Sequence, residues 1–136
     1  MTPKQIHIYT EETYIHTQLA LSNYQTFRNI IDNHESRQSR EAWMFLQSFL
    51  SHFGMVSKLL YAPSGSQRAK DRAQELRNHL KTDETSALNN RDARNAVEHL
   101  DERMDNWLNA SASHKGILEG VFEDEQAFAF LYSFDS

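Results

Sequence analysis

Apolar residues recur along most of this chain at intervals of three and four, the spacing of one face of an α-helix. The strongest instance covers residues 91–108, where Ala93, Ala96, Val97, Leu100, Met104, Trp107 and Leu108 form a single stripe. A second runs from about Arg40 to Tyr61. There Trp43, Phe45, Leu46, Phe49, Leu50, Phe53, Val56, Leu59 and Leu60 cover much of the circumference. A helix that apolar is central in its fold, or is covered on a second side by another chain. Leu19, Ala20, Tyr24, Phe27, Ile30 and Ile31 are the core positions of a further helix. It is expected to start near Thr10, a fair N-cap followed by Glu11 and Glu12, and to run to about Asn33. Ala69, Ala73, Leu76 and Leu80 give a narrow apolar face to a helix over residues 67–81.

The breaks between these segments are short and polar. Residues 33–39 read as a loop with Ser39 as the next cap. Ala62-Pro63-Ser64-Gly65-Ser66 stops the second helix, and Thr82 to Ser86 links to the last, with Thr85 or Ser86 as its cap. That last helix is expected to end near Asn109. Two stretches have a period of two. Ile6 and Ile8 alternate with polar neighbours over residues 4–9, which suggests a short strand. Phe128, Phe130, Tyr132 and Phe134 alternate in the tail after the acidic Glu123-Asp124-Glu125. The expected architecture is therefore all-α: an antiparallel up-and-down four-helix bundle over about residues 10–109. A short C-terminal β-hairpin appendage follows, over about residues 115–135.

Composition narrows the class. The 136 residues fit a single domain spanning 1–136, long enough to bury a core. No apolar run approaches the roughly 20 residues a membrane span needs, and the N-terminus has no apolar signal core. There are no cysteines, so disulfides and thiolate chemistry are excluded, and a cytoplasmic protein is expected. The formal charge of −5 removes any whole-molecule attraction to nucleic acid. Any such binding has to be local. One local basic site is the outer face of the third helix, where Arg68, Lys70, Arg72, Arg77 and Lys81 oppose Asp71 and Glu75. That face is either simply solvated or binds anions.

The densest reactive cluster lies on the last helix. At about 100° per residue, Arg91, Asn95, His99 and Arg103 recur every four positions and line one strip. Glu98 is four residues after Arg94 and suited to pair with it. Histidine moves protons near neutral pH, and arginine stays charged and grips phosphate oxygens in bidentate fashion. The same strip also suits an ordinary salt-bridged surface, in which His99 is structural. The other histidines are scattered, with no spacing that builds a metal site, and no Gly-rich phosphate loop is present, so no metal or other cofactor is expected.

Arg94-Asn95-Ala96-Val97-Glu98-His99 resembles the Arg-x4-6-His signature of the HEPN domain superfamily, in which a polar residue commonly follows the arginine. Its place on the final long helix of a four-helix bundle is similar too. The resemblance covers residues 10–109 in element order, but only the hexapeptide in sequence detail. It implies a homodimer whose signature helices face each other across a composite cleft. It further implies metal-independent RNA endonuclease activity, as in toxins or antiviral effectors, and an antitoxin partner such as a nucleotidyltransferase-like protein. Arg94 and His99 would be the catalytic pair and Asn95 the supporting polar group. Arg91, Arg103 and Glu98 would flank the substrate. Other members of the superfamily only bind nucleotides, RNA or protein partners, and that non-catalytic reading is the alternative.

Helix geometry sets a condition on the catalytic reading. Residues five apart diverge by about 140° and rise by about 7.5 Å. Arg94 and His99 of one chain therefore do not sit side by side. A two-fold dimer brings the arginine of one chain towards the histidine of the other.

Overall fold

The structure, a computed structural model, describes residues 1–33, 40–62, 64–89, 95, 99, 101, 102 and 105. The described residues form three α-helices, α1 (Pro3–Asp32), α2 (Arg40–Tyr61) and α3 (Gln67–Leu80), followed by a 3₁₀ turn over Ala87–Asn89. They contain no strand. None of these helices is long and apolar enough to cross a membrane. The expected C-terminal hairpin lies outside the described residues.

The short strand expected over residues 4–9 is instead the first two turns of α1. Thr2 caps the helix and Pro3 opens it, a position where its missing N–H costs nothing. Thr2 Oγ1 accepts from the Gln5 amide at 3.2 Å, and the Gln5 side chain accepts from the Thr2 amide at 2.9 Å, a reciprocal capping box. Ile6, Tyr9 and Thr13 then turn inward at helical spacing, while Ile8 is 49% exposed. Two alternating isoleucines are too short a pattern to outweigh a complete cap. Thr10, expected as the cap, lies mid-helix with its hydroxyl buried and unpaired. Two other threonines of this helix bond backward: Thr13 donates to Tyr9 O and Thr17 to Thr13 O, both at 2.7 Å.

α2 occupies the residues its apolar pattern predicts, and it is central. Ala42, Trp43, Leu46, Phe49, Leu50 and Phe53 pack with Ala20 and Phe27 of α1 into one cluster. Val56, Leu60 and Tyr61 pack with Leu76 of α3 into a second. Tyr24 and Phe49 rings meet across the helix pair at 5.1 Å between centroids. Leu88 in the 3₁₀ turn leans on both clusters. Burial is not uniform along α1. Leu19, expected in the core, is 41% exposed, and Ile15 and Leu21 are exposed with it.

The turn between α2 and α3 requires a glycine. A Cβ on Gly65 would meet the Ala69 Cβ at 2.8 Å. Ser66 caps α3 by accepting from the Ala69 amide at 3.3 Å. Lys81, in the left-handed conformation at φ 56°, ends α3. The following linker is pinned to α2 twice. Tyr61 donates its hydroxyl proton to Asp83 O, and Ser57 donates to Leu88 O, both at 2.6 Å.

Candidate functional site

Of the residues singled out on the last helix, the structure describes Asn95 and His99. Arg91, Arg94, Glu98 and Arg103 lie outside the described residues. Asn95, Asp101, Glu102 and Asp105 have α-helical backbone, and the His99 amide donates to Asn95 O at 2.9 Å. Asn95 and His99 therefore sit one helical turn apart, as the four-residue spacing predicts. Both are exposed.

His99 has a neighbour outside the Arg-x4-His strip. Its Nδ1 lies 3.2 Å from Glu102 Oε2, one turn further along, and both side chains are more than half exposed. The i, i+3 spacing of His99 and Glu102 is the signal in the sequence that could have found it. The contact has a chemical consequence. A carboxylate at that distance favours the tautomer with the proton on Nδ1, which turns Nε2 to a ligand. An exposed imidazole held in this way can exchange protons with a ligand.

The basic face expected on α3 is smaller than its sequence implies. Arg77 is buried, 8% exposed. It donates to Leu60 O and to Gln74 Oε1, stacks on Tyr61 with its guanidinium carbon 5.1 Å from the ring centroid, and lies 3.6 Å from Glu84. Arg72 lies over the Tyr9 ring at 5.2 Å and reaches Lys58 O at 3.5 Å. Two of the five cations thus hold helices together. The others, Arg68, Lys70 and Lys81, are exposed.

Arg68 and Arg72 do line an open cleft of about 470 Å³ between α1 and α3, together with Gln5, Tyr9, Ser66, Asp71 and Glu75. Its charges are mixed: Glu75 pairs with the N-terminal ammonium of Met1, and Gln67 donates to Asp71 at 2.8 Å. These contacts fit a structural seam between two helices rather than an anion cradle. Among the described residues no three His, Asp or Glu side chains converge to hold a metal ion.

No family model, curated protein or solved structure matches this chain.

Proposed function

We propose that this chain is an HEPN-like four-helix bundle, with the segment after the 3₁₀ turn as its fourth helix, the tail as a β-hairpin, and the cytoplasm as its compartment. On this reading it acts as a metal-independent endoribonuclease through a composite site at a homodimer interface. His99 transfers the proton, to or from the 2′-hydroxyl or the leaving oxygen. Arg94 stabilises the charge that develops on the phosphorus-centred transition state, and Asn95 holds the substrate phosphate. Arg91 and Arg103 bind neighbouring phosphates, and Glu98 orients Arg94. A toxin or antiviral role, with a nucleotidyltransferase-like antitoxin, follows from the same resemblance.

The observation that carries the reading is the exposed helical turn that sets His99 one turn after Asn95, with Glu102 Oε2 3.2 Å from the His99 Nδ1. A positioned histidine supplies about 10²–10⁴-fold in rate, and a nearby guanidinium supplies the electrostatic part.

A second reading is favoured by the charge distribution. The net charge is −5, and α3 spends Arg72 and Arg77 internally. This suits a non-catalytic module that binds nucleotides, RNA or a protein partner and uses the polar strip only to join two chains.

Wild type and His99→Ala should be incubated with structured RNA in EDTA. Cleavage by the wild type and a loss of at least about 100-fold in the variant is the expected result. Equal cleavage by both defeats the assignment of His99. RNA retention without cleavage by either protein establishes the binding module instead.

A further inference from the structure

His16 on α1 and His52 on α2 meet across the helix pair with their Nδ1 atoms 2.9 Å apart. The ring centroids are 5.1 Å apart and the planes are inclined by 37°. That separation is close to the N···N distance plus one ring radius at each end. The two Nδ1 atoms therefore point at each other head-on. Two imidazoles that chelate one metal ion must instead converge on a common point to the side, which draws their centroids closer for the same N···N distance. The geometry fits a proton between the rings.

We propose that His16 and His52 form a one-proton latch that fastens α1 to α2 and releases when both rings become charged. Glu12, one turn before His16, sets the direction of the bond. Its Oε2 lies 3.8 Å from His16 Nε2 and favours a proton there. His16 Nδ1 is then the acceptor, and His52 Nδ1–H donates to it. Adding one proton preserves the contact, because one imidazolium and one neutral ring still share a single Nδ1–H···Nδ1 bond, now charge-assisted. Adding a second places an N–H on each side of a 2.9 Å gap, with no acceptor and two like charges. The bond is then lost.

Among the described residues, one exposed carboxylate is all that faces the doubly charged state. Within one turn of His52 on α2 stand Ser48, Phe49, Met55 and Val56, none of them charged. The charged side chain facing the pair from α1 is Glu12, itself more than half exposed. The internal cations of α3 are engaged elsewhere, Arg72 on Tyr9 and Arg77 on Leu60 and Tyr61. Burial first, and the His16 charge second, push His52 below the ordinary histidine value, in the direction this arrangement requires.

Imidazole ¹⁵N spectra of the full chain, recorded from pH 8 to pH 4, test the latch together with amide exchange along α1 and α2. The two rings are expected to respond together and to take up protons in two steps separated by more than about one pH unit. Amide exchange near residues 16 and 52, taken relative to the intrinsic rate at each pH, should rise as the pH falls from the ordinary histidine value to the second step, by up to about tenfold per pH unit. The His16→Gln/His52→Gln double variant should lack that rise. Independent single-step titration of the two rings overturns the proposal, and so does the same acid-induced rise in the double variant. The wild-type spectra decide the matter by themselves if the variant does not fold.

Discussion

Arg77 lies against the Tyr61 ring at 5.1 Å while donating to the carbonyl of Leu60, so one cation closes the C-terminal end of α2. Tyr61 in turn donates to Asp83 O, and Arg77 approaches Glu84. The end of α2, the last turn of α3 and the linker that leads towards the candidate site are thereby tied at one place.

Arg77→Ala is expected to cost about 2–3 kcal/mol, because it strands a buried carbonyl and removes the aromatic contact. Arg77→Lys should recover little of this, since an ammonium lacks the planar fork. Arg68→Ala, on the exposed side of the same helix, should stay within about 0.5 kcal/mol. Urea unfolding of the three variants separates the structural arginine from the surface one.

Gly54 in α2 and Gly65 in the α2–α3 turn should respond in opposite directions. Gly54 lies inside α2, and a Cβ there meets nothing within 4 Å. Gly54→Ala should therefore stabilise by about 0.5–1 kcal/mol through helix propensity alone. Gly65→Ala meets the Ala69 side chain and should destabilise. Thermal melts of both variants give the two signs directly.

Thr2→Ala removes one half of the capping box and should cost about 1 kcal/mol. The loss is local. Faster amide exchange is expected in the first turns of α1, over residues 3–9, and not in α2. Uniformly faster exchange along both helices would contradict the assignment.

Two of the described groups give stability a pH dependence of known sign. The folded value of His52 is lowered, so the unfolded chain binds more protons than the folded one below the ordinary histidine value of 6.5. Its neutral form is tolerated above that point, and stability falls as the pH drops below it, until the folded value is passed. Asp83 is lowered by hydrogen bonds from the Thr85 side chain and amide, at 2.6 and 2.9 Å. The stability it adds is present above 3.8 and is lost as the pH falls through its folded value. A urea midpoint measured against pH should decline in both windows, and His52→Gln should flatten only the upper one.

On the ribonuclease reading, Glu102→Ala frees the His99 ring and should lower RNA cleavage by about tenfold. Asp101→Ala, beside it but outside the pair, should leave cleavage unchanged. An unchanged rate in Glu102→Ala would reduce that contact to a surface ion pair.

Much of this molecule was legible from local spacing. The apolar pattern of α2 predicts its bounds from Arg40 to Tyr61, and that of α3 is met to within one residue, because each pattern repeats over several turns. The same holds for Asn95 and His99, whose separation by one turn is a property of four residues of helix. Where a pattern was short, at Ile6 and Ile8, the Thr2-Pro3-Gln5 cap decided in favour of helix. Other features depend on residues far apart in the chain, and no periodicity encodes them. Leu19 has the residue type of a core position, yet it is exposed. Arg77 reads as a surface cation, and only the approach of α2 to α3 supplies the carbonyl and the ring that bury it. His16 and His52 stand 36 positions apart on two helices, and the packing register of α1 on α2 alone aims one ring at the other. Helical periodicity determined which segments fold and which faces they bury. The docking of those faces decided which polar side chains became partners, because contact between helices depends on register and rotation, which spacing within one helix does not contain.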